Sequence, residues 1–251
     1  MPLRLGHITP SSNTVLEPLT EALNAPFAGR VTHHFSRVAV THLALAESAD
    51  RQFAPAPMLA AARLLADARP QAIVWNGTAA SWRGLAHDLA LCRAIEAETG
   101  IPATTTTRAF YRVFRHHGFR RIALAVPYTA DVTARLAAEY AAQGFTVPHA
   151  ARLDLADNLA IGATSPDARR ALLREAAAPG PDGARPDCIA VVCTNLDAAS
   201  LAAEMEAELG LPIVDSIAIT FLAACRLAGL DAAQPGWGRV MATPLPPEDP
   251  A

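Results

Sequence analysis

A cysteine at the end of a buried strand can act as acid, base or nucleophile, or can be inert core. Cys193 stands at such a place, after the apolar run 189–192 and before Thr194 and Asn195. Three other stretches share this form. Pro10, Ser11, Ser12 and Asn13 follow the run 3–9; Asn76, Gly77 and Thr78 follow 72–75; Pro127, Tyr128 and Thr129 follow 121–126. The four sets are rich in hydroxyls and amides and poor in charge. Helices start after them, and N–H groups at helix starts favour anions. The chemistry this supports is the holding of a small carboxylate by neutral donors.

Other chemistries find less support. Of the four cysteines, Cys92 and Cys225 sit on apolar helical faces and Cys188 at a strand start, so each reads as structural. No two form a CxxC pair, and the spacing of Cys188 and Cys193 suits neither a zinc knuckle nor a local disulfide. All four are expected to be reduced. The pairs His33-His34 and His116-His117 read as solvated surface. No HExxH helix is present, and no metal is expected. No local Ser-His-Asp order supports a hydrolase.

The elements that must position the four sets alternate strongly. Strands are expected at 3–9, 31–40, 72–75, 121–126, 189–192 and 213–215. Helices are expected at 15–23, 57–68, 85–99, 109–117, 129–143, 198–209 and 217–228, several stopped by glycine, as at Gly100, Gly118, Gly144 and Gly210. Apolar strands without alternation, separated by helices, require a parallel sheet covered on both faces. The pattern also repeats. Residues 68–78 recur as 184–194, an offset of 116 residues. Glu98-Thr99-Gly100-Ile101-Pro102 answers to Glu208-Leu209-Gly210-Leu211-Pro212, and Ile8-Thr9-Pro10-Ser11 to Ala125-Val126-Pro127-Tyr128. Two similar α/β halves follow. Ligands of open parallel sheets bind beyond the carboxyl ends of the strands, so two facing halves bring the four sets around one cleft. The repeat sets Gly77 where the other half has Cys193.

Composition narrows the classes further. The chain has 251 residues, 51% hydrophobic and 18% charged, with a formal net charge of -3. Such a chain builds a buried core and is not disordered. No basic block points to nucleic acid, and no apolar run is long enough to span a membrane. The first residues lack a cleavable leader layout, so the cytoplasm is the expected location.

Six stretches carry a family resemblance over almost the whole chain: GHITPSSNT (6–14), NGTA (76–79), VPYTADV (126–132), Asp157-Asn158-Leu159, VCT (192–194) and PGWGR (235–239). The chain resembles the aspartate/glutamate racemase superfamily, in its maleate isomerase and arylmalonate decarboxylase branch. The 6–14 opening and Asp157-Asn158-Leu159 look like maleate isomerases. Gly77-Thr78 and the Tyr128 to Val132 stretch look like arylmalonate decarboxylases. The resemblance implies two pseudo-symmetric Rossmann-like halves, each a parallel sheet flanked by helices, with the active site in the cleft between them. The halves are expected at 1–105 completed by 216–251, and at 106–215. It also implies that Cys193 is catalytic. Racemases and isomerases of this group usually carry a cysteine in each half; here the first is Gly77, as in the arylmalonate decarboxylases.

The physics of one cysteine agrees with that branch. Racemisation by two bases needs an acceptor on one face of the α-carbon and a donor on the other, and Gly77 supplies neither. Decarboxylation needs one proton delivered after CO2 leaves, with a planar enediolate stabilised meanwhile by fixed donors. Thr78, Tyr128 and the backbone N–H groups of Gly77 and Thr194 are candidates. Asn13 and Asn158 are expected on a second polar group of the substrate, as the resemblance to maleate isomerases implies. The substrate contacts expected are thus Pro10, Ser11, Asn13, Asn76, Gly77, Thr78, Tyr128, Asn158 and Thr194. The leading expectation is a cofactor-independent decarboxylase of a substituted malonate-like diacid. A maleate-type cis–trans isomerase or an Asp/Glu-type racemase is the alternative, and a non-catalytic carboxylate binder the third. The expected partner is a small dicarboxylate, without cofactor, nucleic acid or membrane; a homo-oligomer is left open.

Overall fold

The computed structural model describes residues 1–247, so the last four residues of the expected first half lie outside the described residues. Apolar runs with no polar alternation become interior strands. In β1 (Leu3–Pro10) every residue from Leu5 to Pro10 is buried, and β3 (Ala72–Trp75) is buried throughout. With β2 (Val31–Val38) and β4 (Ala103–Thr105) they form a four-stranded sheet of order β2-β1-β3-β4. The second sheet combines β5 (Ile122–Val126), β6 (Ala150–Arg152), β7 (Cys188–Val191) and β8 (Ile213–Asp215) in the order β6-β5-β7-β8. Every strand pair in both sheets is parallel. The two orders are the same once equivalent strands are matched.

The helices of the first half are α1 (Leu16–Asn24), the short α2 (Glu47–Asp50), α3 (Pro55–Ala66), the short α4 (Ala80–Arg83) and α5 (Leu85–Thr99). After α6 (Thr106–His117) come α7 (Ala130–Ala142), α8 (Asn158–Gly162), α9 (Pro166–Ala176) and α10 (Ala202–Leu209). The last helix, α11 (Ser216–Leu227), is buried from Ser216 to Cys225 and packs on α1, α6, β3, β4 and β8. Among the described residues, no helix is long and apolar enough to cross a membrane.

The repeat reaches down to side-chain bonds. A backbone N–H at or beside the start of a strand needs a partner when buried, and a side chain from a neighbour can supply one. Gln71 Oε1 accepts the Arg4 N–H at 2.7 Å, and Asp187 Oδ2 accepts that of Arg121 at 2.8 Å. Glu96 accepts from Ala103 N–H at 2.9 Å, and Glu206 from Ile213 N–H at 2.8 Å. Each pair stands at equivalent positions of the two halves.

Several boundaries differ from the sequence reading. β2 ends at Val38 rather than 40, because Val38 C=O turns to the Ser11 N–H and Val40 C=O to the Ser12 hydroxyl. α6 starts at Thr106, three residues early, because Thr105 Oγ1 caps it through the Arg108 N–H. The three-residue strands β4 and β6 are too short for a periodic signal. α9 lies outside the expected helices, although Ser165 caps it and Pro166 opens it, a legible start signal. His33 is not solvated: it is half-buried, with Nδ1 2.9 Å from Nε2 of the buried His7.

Candidate active site

Strand ends from both sheets meet around one small cavity of about 20 Å³, room for about one water molecule. Cys193, Thr194, Tyr128 and Asn158 line it from the second half, and Pro10, Gly77 and Thr78 from the first. Seven of the expected site residues are thereby brought together.

Cys193 is 3% exposed. Burial pushes its thiol up to about 11, against donation from the Asn195 N–H at 3.5 Å and from the Tyr128 hydroxyl, while the buried Asp215 carboxyl raises it further. The thiol is protonated at neutral pH. Tyr128 is fully buried and its hydroxyl is held well above the ordinary phenol value, by burial first and by Cys193 second. Its oxygen lies 2.8 Å from Thr78 Oγ1. A chain of hydroxyls therefore runs from Thr78 through Tyr128 to the Cys193 sulfur. Such a chain stabilises negative charge that arises on the sulfur or beside it.

The other expected contacts do different work. Ser11 is exposed, and its backbone joins Val38 and Arg37. Asn13 donates Nδ2 to Thr194 C=O at 2.8 Å and accepts the Val15 and Leu16 N–H groups at the start of α1. The Asn76 amide donates towards His7 Nδ1 and to the carbonyls of Ile8 and Val74. These three are not among the residues lining the cavity, and their bonds fix strand ends instead. Thr194 Oγ1 donates to Asn76 C=O at 2.9 Å, and Asn195 Oδ1 accepts the Thr14 N–H at 3.0 Å while its Nδ2 donates to Asn158 C=O. Neutral amides thus rivet the halves together beside the cavity. Each has a donor and an acceptor used, as burial requires.

Asn158 lines the cavity and donates to Ser12 Oγ at 2.8 Å. The backbone around it pairs with the segment after β2: Asn158 N–H with Thr41 C=O, and Leu43 N–H with Ala156 C=O. That segment also delivers Val40, Leu43 and Phe53 to the cavity. Sequence reasoning missed these three, because apolar residues after a strand carry no sign of whether they pack on core or on ligand. Trp82 also lines the cavity and stands edge-on to Tyr128, with ring centroids 5.0 Å apart. Trp75 walls the cavity too.

Gly77 does not have a positive φ. Its lack of a side chain has another cause: a Cβ there would overlap the Trp75 indole.

The family model for arylmalonate decarboxylase matches residues 34–241. The arylmalonate decarboxylase of Bordetella bronchiseptica is 36% identical over 166 residues, 65% of this chain and 68% of that protein. Among solved structures, a liganded variant of arylmalonate decarboxylase superposes with a TM-score of 0.82 at 28% identity, covering 96% of this chain and 98% of the other. The maleate isomerase Iso from Pseudomonas putida S16 superposes with a TM-score of 0.85 at 23% identity, covering 96% and 99%. The second likeness is one of fold.

Proposed function

This chain belongs to the arylmalonate decarboxylase family, and from that premise we propose that it is a cofactor-independent decarboxylase of a substituted malonate-like small dicarboxylic acid. The observation that carries the reading is the asymmetry of the two equivalent strand ends. One bears a buried thiol that holds its proton at neutral pH; the other bears a glycine covered by an indole.

In the proposed reaction the bond from the α-carbon to one carboxylate breaks and CO2 leaves. Its electron pair passes into the remaining carboxylate as an enediolate. The N–H groups of Gly77 and Thr194 are the donors proposed for its oxygens, joined by Thr78 and Tyr128 as each hydroxyl turns its single proton from its resting partner to the substrate. The Cys193 proton then goes to the α-carbon. The thiolate left behind is stabilised by the Tyr128 hydroxyl and the Asn195 N–H and recovers its proton from solvent. Asn158 is the contact proposed for a second polar group. A diacid exceeds the room in the cavity, so Val40, Leu43 and Phe53, carried by the segment after β2, must give way on binding.

The test is to mix the protein with aryl- and alkyl-substituted malonates and follow CO2. Release of one equivalent is expected, a prochiral malonate with two different α-substituents should give a single enantiomer of product, and Cys193→Ala should lower the rate by about 10²–10⁴-fold, the usual worth of a placed acid. Conversion of maleate at constant mass would replace this reading by a cis–trans isomerase. A thermal shift with no turnover would replace it by a binder.

A further inference from the structure

Trp75 ends β3, and Gly77 lies two residues on, on the same side of the chain. The indole fills the space beside Gly77. A Cβ at residue 77 would overlap Cε2 and Cζ2 of the ring and fall 2.6 Å from Nε1, closer than real Cβ atoms come to anything. Gly77 is the repeat equivalent of Cys193. The ring therefore stands where a side chain paired with Cys193 would project. It is 2% exposed.

The same ring has a second neighbour. Together with Phe53 and Ala79, Trp75 lines both the Cys193 cavity and a separate cleft of about 300 Å³ between α3 and α5. Met58, Leu91 and Ala94 make the cleft apolar, and Arg83 and His87 stand on its lining. Trp75, with Phe53 and Ala79, thus stands between a cavity too small for a diacid and a space large enough for a ring system.

We propose that Trp75 is the specificity-determining residue of this site: its indole is the wall facing the reacting carbon on the side away from Cys193, and it shuts the site off from the α3–α5 cleft. This rests on the decarboxylase reading and extends it to the substrate class. The wall bars a second acid–base group, so protonation proceeds from one face. It also confines the α-substituent to a compact group, while larger ones need the cleft. A glycine at residue 77 alone does not make the site one-sided; the indole that occupies its place does.

The experiment compares wild type with Trp75→Ala, Gly77→Cys and the double variant. Melting temperature is read without substrate, and solvent deuterium exchange is read at the α-carbon of a resolved 2-aryl monoacid. Gly77→Cys alone should melt several degrees lower and exchange no faster than wild type, because its side chain collides with the ring. The double variant should recover part of the melting loss relative to that single variant and exchange at least tenfold faster. Such non-additivity is the mark of contact. Trp75→Ala alone should raise kcat/KM for a naphthylmalonate relative to methylmalonate by about 10–200-fold, the range a hydrophobic pocket can discriminate. Trp75→Leu replaces Trp75→Ala if the latter does not fold. A Gly77→Cys variant that melts like wild type and exchanges as fast as the double variant would overturn the proposal. So would additive melting shifts. Failure of wild type to release CO2 from any malonate, with the melting coupling intact, would instead sink the decarboxylase reading and leave the wall standing.

Discussion

Cys193 and Tyr128 form the pair on which the chemistry turns. A thiol at about 11 is a weak acid, suited to giving its proton to a carbanion and poorly suited to being a standing nucleophile. Tyr128 moves that value in a definite direction. Its hydroxyl donates to the sulfur and so favours the thiolate. Tyr128→Phe should therefore raise the thiol above about 11, and the pH at which iodoacetamide reacts with Cys193 should move upward. Loss of a donor from the proposed enediolate site should also lower turnover, by about 10²–10³-fold. An alkylation profile that stays in place or moves down would show that the hydroxyl does not serve the sulfur.

At the scale of elements, each half ties the start of its β1-equivalent strand to a side chain from before its third strand. Asp187 accepts two backbone N–H groups, from Arg120 at 2.6 Å and Arg121 at 2.8 Å, whereas Gln71 accepts one, from Arg4. Bonds to a carboxylate are stronger than bonds to a neutral amide. Asp187→Ala is expected to lower stability by about 1–3 kcal/mol and Gln71→Ala by about 1 kcal/mol or less, read from urea unfolding. Equal losses, or the reverse order, would mean that the repeated bonds do not carry the strand ends. The segment between β2 and α3 is held differently, by Arg83 on both oxygens of Asp50 and by Gln52 on Thr41 and His42. The Asp50 carboxylate is half-exposed, so the pair is worth little to stability. Asp50→Asn should leave the melting point within a degree or two and act on substrate uptake, seen as a change in KM.

For the whole molecule, we propose the same division that the repeat suggests, 1–105 with 216–251 and then 106–215, with Asn13, Thr194 and Asn195 as the rivets between the parts. Buried titratable groups give this assembly a mixed response to acid. Burial holds His7 at about 3 and His33 at about 4, against 6.5 when unfolded. Below about 6.5 the unfolded chain takes up protons that the folded one refuses, so these two lower stability as pH falls towards 4. Burial raises Asp88 to about 6 and Asp215 to about 7, against 3.8. There the folded chain takes up protons first, so these two add stability as pH falls through 7 and 6. The opposed slopes should leave wild-type stability nearly flat between about 6.5 and 4. Asp88→Asn removes one counterweight, and its melting point should fall more steeply than that of wild type over this interval. Parallel curves would show that Asp88 does not titrate there.

Local physics made much of this molecule legible in advance. Unalternated apolar runs, glycine stops at Gly100, Gly118 and Gly210, and the offset of 116 residues between the halves are properties of chain neighbours. Burial of both sheet faces turns them into two parallel sheets of one design. The four strand ends had to converge for the same reason, and Cys193, Thr78 and Tyr128 came with them. What a buried polar side chain does when it gets there is not local. Asn13 and Asn76 have the residue type of ligand contacts, but once buried their amides had to find partners, and the nearest were Thr194, His7 and the backbone. Gly77 has no positive φ, and its side chain is missing because the indole from two residues before lies against it. Val40, Leu43 and Phe53 reached the cavity through backbone pairing with residues 156–158, more than a hundred positions along the chain. Those outcomes depend on which atoms meet when two halves close on each other, and only the tertiary structure decides that.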